Sequence, residues 1–335
     1  MLRSMNSAIS GMQAFQTDLD VVGNNIANVE TVGFKQSDVQ FADLLSQTMS
    51  LGTAGTAPNP GTGSSGATTG IGGTNPEQVG LGVQVAATQM DMSQGPDETT
   101  GVPTNVAIQG NGFFVVTNGT STYLTRAGNF SVDSAGNLVL PNGVIALGYE
   151  ATSLSSSTTS GSTSSSNNSV PPPSTASTTT SSLSSVNLNT WANDWANKYA
   201  SGEKVSQVSN VSIGANGALT ATLTLTPSSG SGSPSTQTVV LGYLALAQVP
   251  NPQGLVSVGD NLFSASSPAA GTPTYWTPGQ GTYGTLASGE LEGSNVDLSQ
   301  QFAEMIVAQN AYVANTHMIG TDNAILQALV NMKNS

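Results

Sequence analysis

At 335 residues the chain is long enough for two or three domains, yet only 7% of its residues are charged, far below the usual quarter. Six Lys and Arg against nineteen Asp and Glu give a net charge of −13, which excludes the phosphate-neutralising surface that a nucleic-acid partner requires. Cysteine is absent, so disulfides, thiolate metal sites and Cys nucleophiles are excluded together.

The N-terminal stretch MLRSMNSAISGMQAF has no continuous apolar run of the kind a cleaved secretory signal carries. The longest apolar run, Val239 to Val249, falls well short of the ~20 residues of a membrane helix. No membrane insertion and no conventional export signal are therefore expected. In the first thirty residues, Leu2, Met5, Ile9, Met12, Phe15, Leu19, Val22, Ile26 and Val29 recur at spacings of three and four, one face of a helix. Its end carries an unusual load of uncharged hydrogen-bonding groups in NNIANVETVGFKQS. Asn24, Asn25 and Asn28 can bond backbone groups without burying charge, Gly33 tolerates φ > 0, and Phe34 can anchor the Gly-Phe-Lys turn that closes with Lys35. An ordinary helix end capped by Asn and Gly is the simpler reading of the same residues.

A short amphipathic piece around Phe41 to Leu45 leads into a Gly/Thr/Ser/Pro-rich stretch that reads as irregular. Short alternating runs follow, VGLGVQVAATQMDMS, VAIQGNGFFVV, TYLTRAGNFSVD and GNLVLPNGVIALGY, punctuated by Asn-Gly and Ala-Gly-Asn turns as in antiparallel hairpins. From Ala151 to Ser182, 22 of 32 residues are Ser or Thr, too few apolar groups to offset the entropy of ordering, so this tract reads as a linker or exposed loop. Strands are expected again near Val205–Ile213, Ala218–Thr226 and Thr238–Val249. A last strand pair is expected near Asn261–Ala265 and Gly284–Leu291.

In the C-terminal forty residues, Leu298, Met305, Tyr312, Ile319 and Leu326 repeat every seven positions, widened by Phe302, Ile306, Val313, Ile325, Leu329 and Val330. Asp297 with Gln300 places the helix start near Leu298. A strict heptad seam faces a partner only if the helices supercoil, and Leu2, Met5, Ile9 and Met12 offer the matching stripe.

The expected fold is therefore α+β: paired N- and C-terminal coiled-coil-like helices, a β-rich middle domain and a small inserted β domain. Residues 1–30 and 296–335 form the helical domain. Residues 31–150 and 237–295 form the β-rich domain, 151–182 the linker, and 183–236 the insert.

The chemical motifs are poor. His317 is the single histidine and lies mid-helix without metal-ligand or triad partners. Gly110-Asn111-Gly112 is followed by a strand, not the helix of a dinucleotide fingerprint, and reads as a hairpin. Asp133 to Asn137 reads as a β-turn because the later bidentate acid of a cation loop is missing. Glu290 and Glu292 share one face of a strand and read as solvated or interfacial carboxylates, not as a glycosidase pair. Trp191, Trp195 and Tyr199 form one helical stripe, read as the anchor of the insert. No catalytic, cofactor-binding or metal-binding set is present, so neither an enzyme nor a cofactor is expected.

Three stretches carry a resemblance. LRSMNSAISGMQAFQTDLDVVGNNIANVETVGFKQS resembles the N-terminus of bacterial flagellar rod and hook proteins. NVAIQGNGFFVV with YLTRAGNFSVDSAGNLVLPNGVIALGY, and GELEGSNVDLSQQFAEMIVAQNAYVANTHMIGTDNAILQALVNMK, continue it in the same order. GGTNPEQVGLGVQVAATQMDMSQG and VPNPQGLVSVGDNLFSAS look most like hook sequences, with the distal rod as the alternative. The resemblance implies a helical homopolymer in which the terminal helices form the inner layer of a tube. It also implies rod, hook-cap and hook-filament junction proteins as neighbours, export through the flagellar secretion channel, and a location in the hook or basal body outside the cell.

Overall fold

The computed structural model describes residues 2–55, 72–151, 183–200, 203–227 and 234–333. They fall into two compact units. One comprises Met1–Ile26, Ser37–Gln89 and Asp297–Ser335; the other comprises Ala27–Gln36 and Met90–Val296. Most of the Ser/Thr tract expected as a linker lies outside the described residues.

In the helical unit, α1 spans Leu2–Ala27 and a second long helix spans Leu298–Lys333. Asp297 starts the latter, its carboxylate accepting from the amides of Ser299 (2.8 Å) and Gln300 (3.3 Å). The two helices run antiparallel with a fixed register. Ser4 Oγ donates to Asp322 at 2.6 Å, Gly11 leaves only 3.0 Å between its would-be Cβ and the Asn315 side chain, and Asn25 Nδ2 donates to Gln301 Oε1 at 2.9 Å. Each step of seven or fourteen residues along α1 is answered by an equal step back along its partner, the heptad signature of a coiled-coil pair. Apart from Val22, the buried positions are small or polar: Ala8, Gly11, Ala14 and Asn25 on one helix, Gln301, Ala308 and Asp322 on the other.

The unit also contains strands absent from the expected helical domain. Ser37–Asp43 pairs with Val83–Met90, and the Phe15 and Phe41 rings stand 5.4 Å apart. The piece expected as amphipathic around Phe41 is thus a strand edge, its side chains alternating half-buried and exposed. A thin arm, Ser46–Ser50 against Glu77–Gly80, projects its residues mostly into solvent.

The β unit is built on one sheet, in which thirteen of the described strands join. Its main path runs Glu203–Ile213, Ala218–Pro227, Ser235–Leu244, Ile145–Glu150, Phe113–Thr117, Thr122–Thr125, Leu262–Ser264 and Val256–Gly259. Here the expected division is redrawn. Ser235–Leu244 pairs antiparallel with Ile145–Glu150, so the segment 183–236 extends the sheet of the middle domain instead of building its own. A 12-residue helix, α2 (Leu188–Tyr199), is capped at Asn187, whose side chain accepts from Thr190. It drops Trp191 and Trp195 into the same core as Phe114, Val116 and Leu138. Gly242 makes room: a Cβ there would lie 2.4 Å from the Trp191 ring. Tyr199, the third aromatic of the stripe, is half-exposed.

Two further expectations change. Gly110-Asn111-Gly112 is not a hairpin. It carries the chain from Val106–Gln109, which pairs with Thr285–Ser288, into Phe113–Thr117 of the large sheet. The last strand pair also dissolves. Leu262–Ser264 pairs with Thr122–Thr125 and Val256–Gly259, while Glu290–Glu292 pairs with Asp97–Thr99. Periodicity marks strands correctly at these places, but pairing across more than a hundred residues leaves no local trace.

Candidate functional site

The NNIANVETVGFKQS stretch divides between the units. On the helical side, Asn25 is fully buried. Its amide nitrogen donates to the Ser37 carbonyl (2.9 Å) and to Gln301 (2.9 Å), and its oxygen accepts from the Ser37 amide (3.0 Å). One side chain thus satisfies both backbone groups where the first strand begins and also holds the partner helix. Asn24, one residue earlier, is exposed on α1.

In the β unit, residues 28–36 form a compact turn. Thr31 bonds back to Asn28 through both its amide and its hydroxyl (3.1 Å each), and the Phe34 amide donates to the Thr31 carbonyl. Gly33 adopts φ 69° with its amide on the Glu292 carbonyl at 2.8 Å. A Cβ there would sit 2.7 Å from the Ala127 nitrogen, so the position needs glycine for both conformation and space. Phe34 is half-buried.

Lys35 is 3% exposed and anchors a buried charge cluster. Its Nζ lies 2.6 Å from Glu292 Oε1 and 2.6 Å from the Ser93 carbonyl oxygen, to which it donates. Arg126 Nη1 reaches Glu292 Oε2 at 3.2 Å, Nη2 donates to the Gly110 carbonyl at 2.9 Å, and the guanidinium stands 5.3 Å from the Phe113 ring centroid. The Gly95 amide completes the carboxylate shell at 3.2 Å. Burial pulls the Lys35 ammonium below its ordinary pKa, partly offset by Glu292; Arg126 is lowered by burial in the same way. Burial outweighs pairing at both cations, the usual balance for an ion pair removed from water. Above this cluster Asn295 accepts from the Gln36 amide (2.8 Å) and donates to the Asp91 carbonyl (2.9 Å). Three segments remote in sequence are thus tied together where the chain leaves the unit.

Glu292 corrects the expectation of a solvated or interfacial carboxylate: it is fully buried and doubly paired. The alternation of Glu290 and Glu292 gave no hint of this, because the two partners of Glu292 lie 166 and 257 positions away. Scarcity was the available signal, since Lys35 and Arg126 are two of only six cations.

The seam residues divide as well. Met5, Ile9, Met12, Met305, Tyr312 and Ile319 are half-buried. Leu298 and Leu326 are exposed, for a geometric reason. In the observed register Leu298 lies past the last residue of α1 and Leu326 past the first. The Leu2 side chain lies outside the described residues. Phe302, Ile306 and Val313, read as widening the seam, are exposed along the length of α1, and Ile325, Leu329 and Val330 are exposed past its first residue.

His317 is exposed, and among the described residues no cluster of three or more His, Asp or Glu could hold a metal. Asp133 accepts from the Ala135 and Asn137 amides (2.9 and 2.7 Å), closing its turn. No described helix is long and apolar enough to cross a membrane.

A buried ion cluster and a registered helix pair point to a structural role. Comparison with known proteins agrees. Residues 5–35 match the family described as flagella basal body rod protein, 107–221 the flagellar hook protein FlgE/F/G D1 domain, and 287–332 the flagellar basal body rod FlgEFG protein C-terminal family. The chain is 35% identical to the flagellar basal-body rod protein FlgG of Bacillus subtilis, over 99% of this chain and 100% of that one. It is 29% identical to the flagellar hook protein FlgE of Escherichia coli over 98% and 100%. Against the hook protein FlgE of Treponema pallidum it is 47% identical over 156 residues, 46% of this chain and 31% of the other. The chain belongs to the flagellar hook and rod family of axial proteins, structural components of the flagellum. The D1 match runs on to residue 221, through more than two thirds of the segment expected as a separate insert, in accord with the shared sheet.

Proposed function

We propose that the chain is the subunit of the flagellar hook, polymerising into a hollow, curved tube that joins rod to filament and passes torque through a bend. The observation that carries polymerisation is the overhang of the C-terminal helix. In the observed register Leu2, where α1 begins, lies opposite Ala324, and past that point Ile325, Leu329, Val330 and Met332 are 42–69% exposed. A free helical end of about three turns is marginal in water, and a contiguous apolar surface of this kind marks an interface. Neighbouring copies supply the missing cover. The outer surface, rich in Ser, Thr, Asn and Gly and poor in ion pairs, suits contacts that slide as the tube turns. In this reading the subunit leaves the cell unfolded through the flagellar secretion channel. There it meets the hook cap, the rod and the hook-filament junction.

The hook assignment is supported by the stretch of 47% identity to a hook protein. A second reading, the distal rod, is favoured by the 35% end-to-end identity to a rod protein. The shared sheet, which leaves no separate outer domain among the described residues, favours it too. Negative-stain microscopy of the purified full-length chain, beside a chain lacking residues 1–30 and 296–335, separates them. Curved hollow tubes lost on trimming support the hook, and straight rods support the rod. Tubes from the trimmed chain refute assembly through the helices.

A further inference from the structure

Cysteine is absent and methionine occurs nine times, so thioether sulfur is the most readily oxidised group in the chain. The structure ranks these sulfurs. Met5, Met12 and Met305 are half-buried in the helical unit, and Met90 and Met92 pack against the core of the β unit. Three of the described methionines are exposed: Met49 on the thin arm, and Met318 and Met332 on the C-terminal helix. The last two are not scattered. Met318, Ile325 and Met332 follow one another at steps of seven, with Leu329 between the last two, so they fall on one line of the helix. All four are 42–69% exposed. A methionine thus stands at each end of an open apolar line. The unbranched thioether keeps that line apolar and adaptable, while its sulfur stays within reach of a small solute.

We propose that Met318 and Met332 are an oxidation-sensitive pair in the free subunit, and that their conversion to sulfoxides stops this line from packing against a neighbouring copy. With hydrogen peroxide as the oxidant, each sulfur takes one oxygen atom, the O–O bond breaks and water leaves. The sulfur loses two electrons and the peroxide gains them. The product is a polar group in place of an apolar one. Its oxygen is a hydrogen-bond acceptor, and burying an acceptor without a donor is costly. Ile325 and Leu329, its neighbours on the line, offer none. Met5, Met12 and Met305 are shielded where the two helices meet, so the helix pair itself survives an exposure that converts the outer line. The proposal rests on the assembly reading above.

Two readouts test it. The free subunit and flagellar structures purified from cells making the full chain receive the same hydrogen peroxide, and sulfoxides are mapped by peptide mass spectrometry. In the free subunit Met318 and Met332 should oxidise about threefold or more faster than Met5, Met12 and Met305, and in the assembled form about tenfold or more slower than when free. Free subunits are then added to sheared fragments of those structures as seeds, each chain compared with its own untreated form. Treatment should raise the concentration needed for growth about tenfold for the unmodified chain, and less than about twofold for the chain with Met318→Leu and Met332→Leu. Oxidation of Met305 as fast as Met318 in the free subunit overturns the ranking. Growth of treated subunits at the untreated concentration overturns the pair as the sensitive site, as does protection by Met49→Leu in place of the helix pair. Loss of ellipticity at 222 nm on treatment overturns it too, because the effect is then unfolding. Absence of the chain from the purified structures overturns the assembly reading, while the ranking in the free subunit stands apart from it.

Discussion

Replacing Glu292 by Gln keeps the shape of the side chain and removes only its charge, leaving Lys35 and Arg126 without their counter-ion. All three residues are at most 4% exposed, and the two ion pairs broken by the substitution are 2.6 and 3.2 Å long. Breaking a buried pair in this way typically costs about 3–5 kcal/mol, because the uncompensated ions stay out of water. The carbonyls of Ser93 and Gly110 still accept from Lys35 and Arg126, which places the cost toward the lower figure, about 3 kcal/mol. The tryptophans of the chain, Trp191, Trp195 and Trp276, all lie in the β unit, so their fluorescence follows this unit in urea while ellipticity at 222 nm is dominated by the long helices. At a slope of about 3 kcal/mol/M the fluorescence midpoint should fall by about 1 M. Replacing all three by apolar residues of similar volume, Lys35→Met with Arg126→Met and Glu292→Leu, should recover most of that loss. A midpoint within about 0.2 M of the unmodified chain for Glu292→Gln would refute the claim that Glu292 holds two cations out of water by its charge.

Gly33→Ala forces a left-handed alanine against the Ala127 nitrogen at 2.7 Å. The backbone strain alone is worth about 1–3 kcal/mol, and the fluorescence midpoint should drop accordingly. Asn25→Leu strands the Ser37 amide and carbonyl and the side-chain oxygen of Gln301. A loss of about 3 kcal/mol in helical unfolding follows, with faster hydrogen exchange at the Ser37 amide; unchanged exchange there would remove Asn25 from this role. Burial first, then Glu304 and Asp38, raise the pKa of Asp18. Ionised Asp18 is therefore disfavoured in the folded helical unit at neutral pH. That cost is relieved as pH falls through the raised value and is gone below the unfolded value of 3.8. Asp18→Asn should then melt higher than the unmodified chain at pH 7, with the advantage shrinking as the pH approaches about 4, by thermal melts at 222 nm.

Periodicity in the sequence determined the two terminal helices, the cap at Asp297 and most of the strands, because each depends on neighbours within a few residues. It also singled out the motif at positions 24–35, though for an assembly role that remains a proposal. Other features depend on contacts that local pattern does not encode. The heptad at Met305, Tyr312 and Ile319 was legible, but the small and polar line from Gln301 through Ala308 to Asp322 that lies innermost was not. Hydrophobic periodicity is blind to close packing by Gly and Ala and to paired amides. Likewise the exposed stripe at Phe302, Ile306 and Val313 looks identical in sequence to a seam; only the direction of α1 distinguishes the two. Glu292 had nothing local to show that Lys35 and Arg126 would converge on it. The segment 183–236 read as a separate domain because a Ser/Thr-rich tract precedes it. Whether Ser235–Leu244 pairs with Ile145–Glu150 or starts a new sheet is settled by backbone hydrogen bonds across some ninety residues, and such bonds carry no side-chain signature.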